Sequence, residues 1–441
     1  MDRRTVLTGL SGLAFAGTGL LAGAHAPAYG ARNGATAIGT DDRTDELTGL
    51  LAAETAGGMP GAYAEVRESD QTYRFAVGVA DVATGRPARP GAYHRIGGAT
   101  KTFVGVAILQ LAGERLIDLD APIGRYLPDV VPDERGRHIT VRMLLNHTSG
   151  LADFTRISLA AEGETVPDGV LFGSLRSIAD TATRTISPRA LARLGLGLPA
   201  VAAPGARWSY SNTGYVLLGL LIERVTRCAY EDVLTRRVLR PLGLRNTFLP
   251  RRRRLPDPHL DAYVPWSDGA LREFTTYDMS WAWANCDLVS TAADMNRFYR
   301  LLLSGHALAP ALLREMKATV PMSEQFPTFA GYGLGLLWLS SQCGRSWGHD
   351  GFAIGHNVFT RCTEDGTTAQ FTVMENLNFY PTMSPQFPSH PIDVARARFM
   401  VGAMSACLAG TARLAEAVEA PVGFVPSPGW LQRLGAPAPA R

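Results

Sequence analysis

Strand signals lie at the two ends of this chain, and the long middle reads as helix and loop. That arrangement constrains the fold most, because strands from both termini bury their apolar faces by meeting in one sheet. Near the N-terminus Tyr73, Phe75, Val77 and Val79 alternate with Arg74, Ala76 and Gly78, the period-two pattern of a half-buried strand. Near the C-terminus the signals run over 332–339, 352–360 and 368–375, the last two joined by a turn at Glu364-Asp365-Gly366. Thr44 is expected to cap a helix with Leu47, Leu50 and Leu51 on one face, and a final helix from about Asp393 carries Ala395, Phe399, Ala403 and Ala406 on one side. The expected class is α/β in the α+β sense: one antiparallel sheet built from both chain ends, flanked by helices, with a helical insertion over about 100–325. No internal repeat is present.

A chain of 441 residues with 46% hydrophobic content can bury one large core or two medium ones. Its formal net charge of +3 falls to +2 without Asp2, Arg3 and Arg4, too little for a nucleic-acid binder. The run Arg251 to Arg254, between Pro250 and Pro256, reads as a solvated loop rather than a phosphate site. Residues 1–30 read as a twin-arginine export signal: Arg3-Arg4 precede a weakly apolar stretch, with cleavage after Ala26 or near Gly30. Residues 31–43 read as a linker, 44–410 as the folded domain and 411–441 as a loosely ordered tail. No later apolar run reaches the ~20 residues that span a bilayer, so a secreted protein without a stable membrane anchor is expected. Cys228, Cys286, Cys343, Cys362 and Cys407 are an odd set whose spacing assigns no pair and offers no metal site; no cofactor is expected.

The chemistry gathers around three short segments. Gly98 and Lys101 stand three apart at the head of an apolar helix (Phe103, Val104, Ala107, Ile108, Leu111), where free N–H groups and the helix dipole favour developing negative charge. A serine there would be activated by the lysine one turn on, but position 98 is glycine. Tyr210-Ser211-Asn212 precedes a second apolar helix over 215–225, and His349-Asp350-Gly351 sits between two strand-like segments.

With these three in order, the chain resembles the serine β-lactamase and penicillin-recognising peptidase superfamily. Within it the chain is most similar to class C β-lactamases, esterases and secreted D-alanyl-D-alanine carboxypeptidases. The segments 144–151 (Leu-Leu-Asn-His-Thr-Ser-Gly-Leu), 288–294 and 331–336 match family signatures too, and the resemblance covers about 45–407. It implies a β-lactamase/transpeptidase-like fold, with Lys101 as general base or proton shuttle, Tyr210 passing protons to the leaving group and Asn212 binding the substrate amide. His349 would orient substrate and support Tyr210. The backbone N–H groups of residue 98 and Phe352, next to Gly351, would form the oxyanion hole. Trp281 matches a groove-lining aromatic and reads equally as a core tryptophan. His147 reads as a structural hydrogen-bonding residue, and Cys286, near the groove, as a buried structural thiol. Cys343 and Cys407 match positions bridged in a close relative, which implies a disulfide. Leu337-Trp338 stand where such carboxypeptidases place an arginine for the substrate's terminal carboxylate, so a free C-terminal carboxylate is poorly served.

Gly98 cannot form an acyl-enzyme. Thr100, Thr102 and Ser211 should point away from it, and the missing hydroxymethyl leaves room for about one water, roughly 30 Å³. Three readings follow: a binder of D-amino-acid peptides, β-lactams or related amides and esters that does not acylate; a hydrolase working by direct water attack or with serine native at 98; and an interaction scaffold.

Overall fold

The computed structural model describes residues 36–38, 41–155, 170–324, 327–341, 343–379 and 390–408. Residues 1–30, read above as an export signal, 411–441, read as a tail, and 156–169 of the expected helical insertion lie outside the described residues.

Part of the segment read as linker is structured. Strand β1 (Thr36–Ile38) pairs antiparallel with β3 (Gln71–Asp81), Thr36 opposite Ala76 and Ile38 opposite Arg74, so the free edge of β3 finds ladder partners. Helix α1 (Asp42–Ala56) begins earlier than expected: Asp41 is the N-cap, its carboxylate accepting from the Thr44 N–H at 2.7 Å. Asp is the stronger cap, and Thr44 is buried in the first turn instead.

Both chain ends do build one antiparallel sheet. With β2 (Gly61–Glu68), β4 (Ala330–Tyr332), β5 (Leu337–Ser341), β6 (Gly344–Gly348), β8 (His356–Thr363) and β9 (Ala369–Glu375), the spatial order is β1-β3-β2-β9-β8-β6-β5-β4. A short strand β7 (Gly351–Ala353) pairs with β8. β2 and β9 match in full register, Ala369 opposite Glu68 through Glu375 opposite Ala62, which joins the first strands of the chain to the last.

Two expected strands are hairpins. The run 332–339 turns through Gly333 to Leu336 between β4 and β5, with Gly335 at φ +84°, and the run 352–360 turns at Ile354-Gly355 between β7 and β8, with Gly355 at φ +75°. Both reversals need a glycine in the left-handed region, which alternation of apolar residues does not reveal. β3 is not half-buried either: Phe75 and Val77 pack with Leu47, Leu51 and Phe399 on one face while Ala76 and Ala80 face the helical body, so the sheet is covered on both sides.

Helix α2 (Thr100–Gly113) is buried all round from Thr100 to Leu109 and forms the axis of the helical body. Helix α3 (Asn212–Thr226) and the short helix α4 (Trp283–Cys286) pack beside it. Helix α5 (Pro391–Ala403) lies against α1 with Phe399 and Ala403 in the core; the turn Ser405–Leu408 then carries Ala406 and brings Cys407 to Cys343, which form a disulfide with Cα atoms 5.6 Å apart. Arg251 to Arg254 are exposed, Arg253 pairing with Asp278 and Arg254 with Asp257.

Candidate active site

Residue 98 lies in a single 3-10 turn, Gly97–Ala99, that runs into α2. Two backbone contacts fix this turn against β7. A Cβ on Gly97, at φ +49°, would stand 2.3–2.4 Å from the Phe352 backbone, and one on Gly351 would stand 1.8 Å from the Ile96 carbonyl oxygen. Only glycines allow so close an approach, which brings residue 98 beside Phe352. Gly351 is thus explained by packing. A Cβ on Gly98 would meet the Tyr210 hydroxyl at 2.9 Å, the Asp350 carbonyl oxygen at 3.3 Å and His349 Cε1 at 3.6 Å. The three sequence segments therefore converge on one point, and position 98 has no side chain to fill it.

Lys101, the second residue of α2 and one turn on from residue 98, is fully buried. Its Nζ donates to Asn212 Oδ1 at 2.7 Å and to the Asn285 carbonyl oxygen at 2.9 Å, and lies 3.9 Å from Cys286 Sγ. It sits over the rings of Tyr210 and Tyr215, 4.8 and 5.2 Å from their centroids. Burial pushes the ammonium below its ordinary range, while the Cys286 and Asp153 charges oppose this. Burial also holds Tyr210 well above 10, so its phenol stays protonated, and pushes the Cys286 thiol up to about 11.

Asn212 departs from the expectation that its amide meets substrate. Because the lysine offers only donors, Asn212 turns Oδ1 to it, and Nδ2 donates to Thr155 Oγ1 at 2.7 Å and Asp153 Oδ2 at 3.2 Å. Both ends of the side chain are engaged within the protein. Asp153 and Thr155 have no helix periodicity or motif of their own to announce them; their one signal is position, directly after the 144–151 segment. Within that segment, His147 is buried at φ +61°, and its Nδ1 accepts from the Ser211 N–H at 3.1 Å while its carbonyl accepts from the Ser209 N–H at 2.8 Å, which fixes the approach to α3.

His349 also departs in part. Its Nδ1–H donates to the Asp350 carbonyl oxygen, which leaves Nε2 to accept from the Tyr332 hydroxyl at 2.8 Å, so Tyr332 rather than Tyr210 is its hydrogen-bonding partner. Burial, with the Lys101 charge beside it, pushes this imidazole down to about 3, so the ring is neutral. Asp350 is anchored by the buried Arg361 guanidinium through two parallel bonds of 2.6 and 2.9 Å, holding the 349–351 segment rigid.

A cavity of about 20 Å³ opens at this point. Gly98, Tyr210, Asn212, Thr155 and Cys286 line it together with the aromatic side chains of Phe172, Trp281, Phe352 and Phe379. The volume suits about one water. Trp281 is both groove and core: its ring packs edge-on against Phe172 at 4.6 Å between centroids, and its indole N–H is buried without a partner among the described residues. The hydroxyls of Thr100, Thr102 and Ser211 bond away from the cavity, to the Leu288 N–H, the Gly335 carbonyl and the Ala152 carbonyl.

The beta-lactamase family model matches residues 44–376, and the chain belongs to that family. Among curated relatives it is 24% identical over 301 residues to penicillin-binding protein 4* of Bacillus subtilis, covering 66% of this chain and 62% of that one. It is 32% identical over 201 residues to esterase EstB of Burkholderia gladioli, covering 43% and 46%. The chain thus spans less than two thirds of the length of either. Among solved structures it resembles a D-stereospecific amidohydrolase from Streptomyces sp., with a TM-score of 0.70 and 31% identity over 85% of this chain and all of the other. The D-amino acid amidase of Ochrobactrum anthropi SV3, complexed with L-phenylalanine amide, shares the fold at TM-score 0.68 and 24% identity, covering 83% and 98%.

Proposed function

We propose that this chain is a secreted, non-acylating member of its family that holds amino-acid amides, D-amino-acid peptides, β-lactams or related esters in a pocket whose serine nucleophile is replaced by Gly98. One observation carries the reading: the point where Tyr210, His349 and Asp350 converge lies on residue 98, which bears only hydrogen. In this reading the N–H groups of Gly98 and Phe352 receive the ligand carbonyl oxygen, and the Tyr210 phenol, kept neutral by burial, donates to the ligand heteroatom. Lys101 supplies positive charge behind them. The aromatic lining of Phe172, Trp281, Phe352 and Phe379 suits an apolar or aromatic side chain, in keeping with the amide named for the Ochrobactrum structure. Arg3-Arg4 and the apolar stretch after them support export.

A second reading, hydrolysis by water attack, is favoured by the cavity's room for one water beside Gly98, Tyr210 and Asn212, with Lys101 bonded to Asn212 and His349 next to Gly98. Removing a triad nucleophile typically costs about 10⁶ in turnover, so such hydrolysis would be slow. Thermal-shift titration of the native protein with D- and L-phenylalanine amide and benzylpenicillin, followed by product analysis, separates the readings. A ligand at 100 times its dissociation constant stabilises by about 2.7 kcal/mol. Saturable stabilisation without product supports the binder, steady product release supports the hydrolase, and no stabilisation by any of them contradicts both.

A further inference from the structure

Lys101 and Lys317 are the only lysines in the chain, against 41 arginines (43 − 2). A chain that otherwise uses arginine for its positive charge places a lysine at the head of α2. Lysine, unlike arginine, is a compact charge that can lose its proton. What surrounds it then decides what it does.

Every strong acceptor around Lys101 is accounted for by two short segments. From α4 come the Asn285 carbonyl and the Cys286 thiol. From α3 comes Asn212 Oδ1, and an asparagine amide offers that oxygen only if its NH₂ end is claimed elsewhere. Asp153 and Thr155 claim it. Asp153 Oδ1 accepts the Asn212 backbone N–H at 3.3 Å and the Thr155 N–H at 3.0 Å, and its Oδ2 takes the Asn212 side-chain NH₂ at 3.2 Å. The other groups facing Lys101 are Tyr210 and Tyr215, whose rings lie under the ammonium, and the imidazoles of His147 and His349, both kept neutral by burial. Among these described neighbours Asp153 is the one carboxylate whose charge acts on Lys101.

We infer that Asp153 is the positioning residue of this site: through the side-chain amide of Asn212 it fixes the direction in which Lys101 donates, and it is the buried carboxyl whose charge opposes the effect of burial on the ammonium. With both N–H bonds of the Asn212 amide given to Asp153 and Thr155, the charge behind the pocket is what a bound carbonyl compound would feel. That consequence rests on the functional reading above; the placement of Asp153 does not.

The two-lysine composition makes the test direct. Heteronuclear NMR of the full chain labelled at the lysine side chains gives two signals, with Lys317, held by Glu364 at the surface, as internal control. Asp153→Asn is expected to lower the Lys101 midpoint by about one pH unit or more, a tenfold change, as loss of a nearby opposite charge does. Asp153→Glu should bring it back towards the native value, and Lys317 should not move in either. Should Asp153→Asn not fold, Asp153→Ser is read the same way. A Lys101 midpoint unchanged by loss of the carboxylate, or one that Asp153→Glu leaves as low as Asp153→Asn does, overturns the inference. Ligand thermal shifts on the same proteins report separately on the functional reading.

Discussion

Replacing Gly97 by alanine tests the joint on which the site is built. Two costs are separable. The first is conformational: at φ +49° an L-residue is in the left-handed region, about 1–2 kcal/mol unfavourable. The second is contact: the new Cβ would lie 2.3 Å from the Phe352 carbonyl oxygen and 2.4 Å from its carbon and nitrogen, all backbone. Reaching ordinary separation of 3.4 Å requires the 97–99 turn and β7 to part by about 1 Å, and forced overpacking of this kind typically costs a further 1–3 kcal/mol. Gly91 supplies the control, since it sits at φ +81° with nothing within 4 Å of its Cβ position and so pays the first cost alone. Urea unfolding followed by tryptophan fluorescence should show Gly91→Ala losing about 1–2 kcal/mol and Gly97→Ala about 2–5. Because the same displacement separates the N–H groups of Gly98 and Phe352, ligand affinity should fall about tenfold or more in Gly97→Ala, roughly 1.4 kcal/mol, and stay native in Gly91→Ala. Equal losses in the two variants, with binding intact in both, would refute the reasoning.

Other outcomes follow from buried charge and from the disulfide. Arg396, fully buried, bonds Glu375 at 2.5 and 2.7 Å and Asp393 at 2.6 Å, close to Glu54, whose carboxyl burial holds well above its usual range. Arg396→Met should cost about 3–5 kcal/mol at pH 7. Stranded carboxyl groups bind protons, raising their folded-state pKa, and stability tied to a raised carboxyl is present at low pH and lost as pH rises. The deficit should therefore shrink in unfolding titrations at pH 4–5, and a pH-independent deficit would contradict this assignment. His349 is pushed down to about 3, so its contribution is present above the unfolded value near 6.5 and lost as pH falls towards 3. The stability of the native protein minus that of His349→Gln should decline by about 1.4 kcal/mol per pH unit below 6.5, read by denaturant unfolding. Replacing Cys343 and Cys407 by serine should remove about 2–4 kcal/mol, and the same loss should appear on reduction of the native protein.

Periodicity reached the one sheet built from both chain ends, because alternation is written locally, and the resemblance carried by the ordered segments implied the convergence point. The alternation in β3 and the apolar faces of α1 and α5 place these two helices against one face of the sheet. Reversals such as Gly335 and Gly355 were not legible, since a glycine between apolar residues reads alike in a strand and in a hairpin, and only the tertiary fold sets its φ. The same limit applies in the site. Gly98, Lys101, Tyr210 and His349 could be placed together from their segments, but which partner each side chain takes depends on geometry across the fold: Tyr332 on β4 meets His349, and Asp153 and Thr155 claim the amide of Asn212. Hydrogen-bond partners separated by tens of residues leave no local pattern.

In the reading proposed above, the pocket lacks only the side chain at 98 for acylation. Intact mass spectrometry after incubation with a fluorescent penicillin and a fluorophosphonate tests it in the native protein and in Gly98→Ser, where a shift of a few tenths of an ångström at the Tyr210 hydroxyl makes room for the new Cβ. The native chain should keep its mass, and the variant should carry one bound probe on the introduced hydroxyl. A probe attached to the native chain within the pocket, or a folded Gly98→Ser that takes up neither probe, would contradict that reading.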